Sequence, residues 1–137
     1  MMSNSVFLDT SFVQALLNKR DRDHHKAVRL FKYLKSLREV WITEAVLVEI
    51  GNGLSSIDRF AAEKFIKSSY KTPNINVIMV DKFLLLKSLE LYSSRSDKNW
   101  GLTDCISFVV MQENGIFEAA TNDVHFSQAG FTILLKN

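Results

Sequence analysis

The sequence predicts an α/β domain with a mainly parallel sheet of about five strands, for three reasons. Short apolar runs alternate along the chain with longer amphipathic segments. The amphipathic segments are long enough to cross over between parallel strands. The length of 137 residues and the 47% share of hydrophobic residues are typical of a globular domain rather than a disordered chain. We therefore expect residues 1–137 to form a single domain.

The N-terminal segment predicts a strand followed by two helices. Residues 6–8 are an apolar run that indicates a buried strand ending at Asp9. Residues 11–18 carry apolar side chains at i and i+4, which favours a helix. A charged turn follows, and residues 24–38 again place apolar side chains on one helical face.

The middle of the chain predicts a strand, two capped helices and another strand. Residues 40–42 indicate the second strand, and Thr43 is a suitable N-cap for a helix that ends near the glycines at 51 and 53. Asp58 is a suitable N-cap for a helix that continues through residue 66. Residues 75–80 then predict the third strand.

The C-terminal part predicts two further helices, two strands and a short turn or helical loop. Thr103 is the expected N-cap of the second helix, and Gly115 the residue just past its end. In order, the expected elements are a Leu-rich helix over 82–93, a polar loop over 94–101, a helix over 104–114, a strand over 116–120, the turn over 123–128 and a strand over 131–135.

Cysteine usage and charge limit the class of protein. Cys105 is the only cysteine, so no intrachain disulfide forms, which favours the reducing cytoplasm. No apolar run reaches the roughly 18–20 residues of a membrane span, and we expect no membrane partner. The net charge of +2 neither requires nor excludes a nucleic-acid partner.

Four carboxylates lie where this architecture can bring them together. Asp9 follows the first strand and Asp123 follows the strand over 116–120, so both belong to the carboxyl edge of a parallel sheet, where ligands bind. Glu49 lies in the helix after the second strand, and Asp104 lies in the first turn of its helix.

Each of these residues also has a purely structural explanation. Asp9 can cap a helix, and Asp123 can close a turn. Asp104 lies in the first turn of its helix, where the helix dipole stabilises a negative charge. Glu49 stands in an almost wholly apolar helical stretch, which predicts either a buried carboxylate that needs a partner or a narrow exposed stripe.

A cluster of carboxylates needs a cation to offset its repulsion. Oxygen ligands without His or Cys suit Mg²⁺, or Mn²⁺ in its place. Such a site lowers the pKa of a bound water and stabilises charge on a phosphate. Phosphodiester hydrolysis is the chemistry we expect. A phosphatase with an aspartyl nucleophile would need a second Asp where Ser11 stands.

Four segments follow one another along the chain: VFLDTS at 6–11, TEAVLVE at 43–49, WGLTDCISF at 100–108 and ATNDVHF at 120–126. Together, and in this order, they resemble the PIN-domain nucleases, and among them the VapC-like toxins of type II toxin–antitoxin pairs. The resemblance covers nearly the whole chain, and its strongest piece is the third segment.

The resemblance implies a three-layer α/β/α sandwich and Mg²⁺-dependent cleavage of single-stranded or loop RNA. It also implies a small antitoxin partner and a homodimer. Matched position by position, the acidic quartet that binds metal and catalyses the reaction is Asp9, Glu49, Asp104 and Asp123. Ser11, Thr121 and Asn122 match or adjoin hydroxyl positions near that site, for which we expect supporting roles.

Several interpretations stay open at this level. The basic stretch that includes Lys19, Arg20, Arg22 and Lys26 is either a solvated face or a surface that attracts RNA phosphates. We expect His125 to pack or hydrogen-bond in the last loop rather than bind metal. The alternative functions are a PIN-fold RNA-processing nuclease outside the toxin class and a catalytically vestigial interaction module.

Overall fold

The computed structural model describes residues 4–37 and 39–135. The elements alternate between strands and helices as the sequence pattern predicts. They are β1 (Ser5–Leu8), α1 (Thr10–Leu17), α2 (His24–Leu34), β2 (Glu39–Thr43), α3 (Glu44–Gly53), α4 (Arg59–Lys71), β3 (Ile75–Ile78), α5 (Lys82–Ser94), α6 (Leu102–Glu113), β4 (Glu118–Ala120), α7 (Val124–Gln128) and β5 (Thr132–Ile133).

The strands form one sheet in the order β3-β2-β1-β4-β5, and every neighbouring pair is parallel. The chain moves from β1 towards β3 and then returns across the sheet to β4 and β5. Because parallel crossovers are right-handed, α1 to α4 cover one face and α5 to α7 the other. The predicted three-layer α/β/α sandwich around a parallel sheet of five strands is confirmed for the described part of the chain.

The direction of winding reverses between β1 and β4, and this is the point where ligands bind in such sheets. In the register of this pair, Leu8 lies opposite Ala120. The amide of Asp9 continues the ladder by donating to the carbonyl of Ala120 at 3.2 Å. The residues just beyond both strands are therefore held side by side at the carboxyl edge.

The core is apolar and rich in aromatic rings. All the residues from Cys105 to Met111 of α6 are buried, so this helix runs through the interior instead of over the surface. The ring of Phe108 stands edge-on to that of Phe126, with centroids 5.0 Å apart, and Trp100 packs edge-on against the other side of Phe108 at 5.0 Å. These ring contacts pack α6 against α7 near the carboxyl edge of the sheet.

Most predicted boundaries are confirmed within a few residues. Thr43 and Asp58 cap their helices, accepting hydrogen bonds from Val46 and Ala61. Gly115 follows the C-cap of α6 with a φ of 64°, the left-handed region that favours glycine. No helix among the described residues is long and apolar enough to cross a membrane.

Three predicted boundaries were wrong. The N-cap of α6 is Gly101 rather than Thr103, because the carboxylate of Asp104 reaches back to the Gly101 amide at 3.1 Å and starts the helix earlier. The last strand is only Thr132–Ile133, and α2 ends at Leu34. Residue 38, where α2 was expected to end, lies outside the described residues.

The cap of α3 provides a test of the fold. Thr43 is fully buried and its hydroxyl accepts the Val46 amide at 3.2 Å. We expect Thr43→Ala to lower the free energy of unfolding by about 1–2 kcal/mol, because a helix-terminal amide loses its acceptor. Urea unfolding measures the change. Thr43→Ser keeps the oxygen and should recover much of the stability; equal losses in the two variants would contradict the capping role.

Candidate active site

Asp9 is the most deeply placed carboxylate at the carboxyl edge. Asp9 is only 5% exposed, and it lies between the end of β1 and the start of α1. It occupies the N-cap position of α1, yet its side chain makes no capping hydrogen bond. Its Oδ2 instead accepts hydrogen bonds from the hydroxyls of Thr121 at 2.7 Å and Ser11 at 3.2 Å. The capping explanation for Asp9 is therefore set aside.

A pair of hydroxyls connects the ends of β1 and β4. The oxygens of Ser11 and Thr121 lie 3.0 Å apart. Ser11 Oγ also accepts the Asn122 amide at 3.2 Å, and Thr121 Oγ1 accepts the Asp123 amide at 2.9 Å. Of the three residues expected to have supporting roles, Ser11 and Thr121 contact Asp9, while Asn122 bonds to Ser11 in the loop that carries Asp123.

Asp104, Asp123 and His125 form a compact cluster. One potential ligand atom from each lies within 4.8 Å of the others, so together they could hold a metal ion. His125 Nδ1 lies 2.9 Å from Asp104 Oδ2 and 3.5 Å from Asp123 Oδ1. His125 therefore hydrogen-bonds to Asp104, and its ring also lies within ligand distance of both carboxylates, a position that the sequence reasoning did not expect.

Capping and ligand roles are compatible in this cluster. Asp123 Oδ1 accepts the His125 amide at 2.9 Å and so caps α7, while Asp104 Oδ2 accepts the Gly101 amide. These bonds use one oxygen of each carboxylate. The structural explanations weighed for Asp104 and Asp123 are correct, but they leave both carboxylates grouped at the edge of the sheet.

Asp9 and Asp104 hold their protons more tightly than ordinary acidic side chains. Burial raises the pKa of Asp9 from 3.8 to about 6, against the lowering effect of the hydrogen bond from Thr121. The negative charges of Asp104 and Asp123 raise it further. Burial also raises the pKa of Asp104, partly offset by the hydrogen bond from His125. In the absence of a cation, the folded protein therefore resists full ionisation of this site.

Glu49 stands apart from this cluster. It is exposed on α3, where Val46, Leu47 and Ile50 take the buried positions, so the exposed stripe left open by the sequence is the correct interpretation. Its Oε1 accepts the hydroxyl of Thr10 at 2.7 Å. Because Thr10 directly follows Asp9, this bond holds Glu49 at the border of the site.

The basic residues lie close by along the chain. Lys19, Arg20 and Arg22 are exposed in the turn between α1 and α2, and Lys26 is half-buried in the first part of α2. That turn touches the site through a residue missed by the sequence reasoning. Asp23 is 6% exposed and accepts a hydrogen bond from the Asn122 side chain at 2.7 Å. A single Asp within a run of charged residues gave no signal of this contact.

Cys105 is not a nucleophile candidate. It is fully buried beside Asp104, and burial raises the pKa of its thiol. A buried, protonated thiol packs as a small apolar group, as expected from the sequence.

The raised pKa of Asp9 makes stability depend on pH. The folded state binds this proton more tightly than the unfolded state, so the stabilisation is complete below about pH 4 and is lost as pH rises through about 6. In a chelating buffer we expect unfolding free energy to fall by on the order of 3 kcal/mol over this range from Asp9 alone. Asp9→Asn should flatten the profile and be the more stable protein at pH 7. Parallel profiles for the two proteins in urea unfolding would contradict the assignment.

Comparisons with known proteins agree with this fold. The PIN domain family profile matches residues 6–132. VapC20 of Mycobacterium tuberculosis, a sarcin-ricin loop cleaving toxin, aligns with a TM-score of 0.84 and 29% identity, covering 93% of this chain and 96% of that chain. FitAcB from Neisseria gonorrhoeae shares the fold, with a TM-score of 0.63, 15% identity and 96% coverage of both chains. Curated protein sequences gave no match.

The family match spans nearly all of the chain, and each segment that carried the resemblance lies within it. The two aligned structures share the parallel sheet and its helical layers across almost their full lengths. The chain belongs to the PIN-domain family and has the fold of the VapC-like toxins.

Proposed function

We propose that this protein is a Mg²⁺-dependent endoribonuclease that cuts single-stranded or loop RNA. PIN-domain nucleases are typically metal-dependent ribonucleases, and this chain keeps an acidic cluster at the corresponding edge of the sheet. The observation that carries the proposal is the grouping of Asp104 and Asp123 within metal-ligand distance, with Asp9 close enough that their negative charges raise its pKa. Such a set favours a cation that offsets the repulsion.

The donor set fits Mg²⁺ or Mn²⁺. Carboxylate oxygens are the ligands that these hard cations prefer. Asp9, Asp104 and Asp123 would hold the ion, with Glu49 completing the site directly or through water. When bound, the ion supplies a water of lowered pKa and offsets charge on the phosphoryl oxygens.

The chain's own residues orient these ligands. Thr121 and Ser11 donate to one oxygen of Asp9 and so fix the direction of the other. The His125 ring nitrogen holds Asp104, and the amide of His125 holds Asp123. Hydrogen bonds of this kind, made to the ligand carboxylates by neighbouring groups, hold a metal site in its working geometry before the ion binds.

The toxin role is the more specific part of the proposal. It is supported by the likeness to VapC20 over nearly the whole of both chains. We propose that the protein acts in the cytoplasm, is held inactive by a small antitoxin and forms a homodimer. Exposed apolar side chains on α5, including Phe83 and Leu86, provide surface for such contacts. An RNA-processing nuclease and a vestigial interaction module remain the alternatives.

Cleavage of a panel of RNAs tests the proposed chemistry. The panel contains tRNA, ribosomal fragments and unstructured RNA, each with Mg²⁺, Mn²⁺ or EDTA. We expect discrete cuts that disappear with EDTA and fall at least about 100-fold in Asp104→Asn, since loss of outer-shell contacts alone costs about 10–100-fold.

Glu113→Gln is the matched control, because it removes a carboxylate charge at the far end of the same helix. It should cut at the wild-type rate. Cutting that survives EDTA, or an Asp104→Asn protein as active as the control, would overturn the metal-dependent mechanism. Absence of both cutting and Mg²⁺ binding in folded wild-type protein would favour the vestigial module.

The basic turn gives a second test of the same function. Lys19→Ala/Arg20→Ala should raise KM and lower the salt dependence of RNA binding by about 1.4 in the log–log slope, if each side chain neutralises one phosphate. Fluorescence anisotropy over a salt series measures the slope. Lys64→Ala/Lys71→Ala removes two exposed charges from α4 and serves as the control. Identical slopes in the two double variants would assign the turn to a solvated face.

A further inference from the structure

Asp23 joins the basic turn to the active-site loop. It immediately precedes α2 and is 6% exposed. Its Oδ2 accepts the side-chain amide of Asn122 at 2.7 Å, across 99 positions of sequence. Asn122 stands between Thr121, which contacts Asp9, and Asp123. Burying a carboxylate costs free energy unless the group is hydrogen-bonded, so loss of this contact would destabilise the folded state.

The turn that carries Asp23 is itself well ordered by local hydrogen bonds. The Arg20 amide donates to the Asn18 side chain at 3.1 Å, and the Asp23 amide donates to the Asp21 side chain at 2.9 Å. Just beyond it, His24 Nδ1 lies 2.8 Å from the carbonyl of Ala15 in α1. Asp23 therefore lies in an ordered turn, and its hydrogen bond to Asn122 can hold the loop after β4 in place.

On the other side, Asn122 is held at both its backbone and its side chain. Its amide donates to Ser11 Oγ, and its side chain donates to Asp23. The next residue is Asp123, whose carboxylate belongs to the acidic cluster. Loss of the Asp23 contact leaves a residue adjoining this carboxylate fixed by its backbone alone.

We propose that Asp23 is a positioning residue of the active site, which holds Asn122 so that Asp123 is directed into the acidic cluster. The proposal rests on the proposed metal-dependent nuclease function. Asp23 acts through a hydrogen bond, not through its charge. The same bond joins the turn between α1 and α2 to the loop that carries Asp123.

Mn²⁺ affinity of the isolated full-length protein measures the positioning directly. We expect Asp23→Ala to weaken Mn²⁺ binding by about 10–100-fold, the range seen when outer-shell partners are removed. Asp23→Asn keeps a carbonyl oxygen that accepts from Asn122, and it should bind Mn²⁺ within about threefold of wild type. RNA cleavage by Asp23→Ala should recover at high Mg²⁺ concentration, which a loss of folded protein would not do.

Asp81→Ala is the stability control, because it also removes one carboxylate that accepts a hydrogen bond, at the start of α5. It should lower the melting temperature and leave Mn²⁺ affinity unchanged. Asn122→Ala removes the same contact from the exposed partner, and circular dichroism checks that it folds, because it leaves the buried Asp23 carboxylate without this donor. It should weaken Mn²⁺ binding to the same extent as Asp23→Ala.

An exchange of the two partners provides the sharpest comparison. Asn122→Asp places two carboxylates against each other and should weaken Mn²⁺ binding more than Asn122→Ala. Asp23→Asn/Asn122→Asp restores a donor and an acceptor in reversed order and should regain most of the affinity. If wild type binds Mn²⁺ and Asp23→Ala binds it equally well, the positioning role is wrong and the nuclease function stands. If wild type binds no Mn²⁺, the proposed function fails and the positioning role fails with it.

Discussion

The parallel pairing of β1 with β4 is the constraint on which the site depends. The two strands are separated by most of the chain, yet their register places Leu8 opposite Ala120. Asp9 and Thr121 therefore leave the sheet side by side and meet within 2.7 Å. A slip of one residue would turn alternate side chains to the opposite face and separate this pair. The crossover through α5 and α6 is what brings the second half of the chain back to that position.

The same pairing creates an electrostatic conflict. Burial and neighbouring charge raise the pKa of Asp9, so the arrangement that suits a cation is unfavourable for the protein alone. The hydroxyls of Ser11 and Thr121 relieve part of this cost by donating to the buried oxygen. The apolar packing of α6 and α7 below the site, through Phe108 and Phe126, supplies rigidity that the charged groups do not.

The sequence predicted the elements well because their signals are local. The caps at Thr43 and Asp58 and the glycine at 115 each act within a few residues of themselves. It was less informative where the outcome depends on distant packing. The exposure of Glu49 depends on which face of α3 meets α1, and residues 45–50 are apolar except for Glu49 itself, so they do not specify that face.

The contact between Asp23 and Asn122 shows the same limit more strongly. Its partners are 99 positions apart, and Asp and Asn are so common in turns that neither residue points to the other. Only the folded arrangement of two loops shows that they meet. The grouping of Asp9, Asp104 and Asp123 was predicted because all three follow strands or begin helices at one edge. The resemblance to the PIN-domain family then matched these three carboxylates, together with Glu49, to the acidic quartet of the family.

The two edge strands of the sheet, β3 and β5, affect how the protein can associate with other chains. β5 has two residues and β3 has four, so each margin presents few unpaired backbone groups. Short outer strands are poor templates for adding a further strand, which protects a protein against fibrous aggregation. A second chain that bound this protein would therefore find few strand edges to extend, and would meet mainly the side chains of the surrounding helices. A sheet this small thus favours specific recognition over indiscriminate backbone pairing.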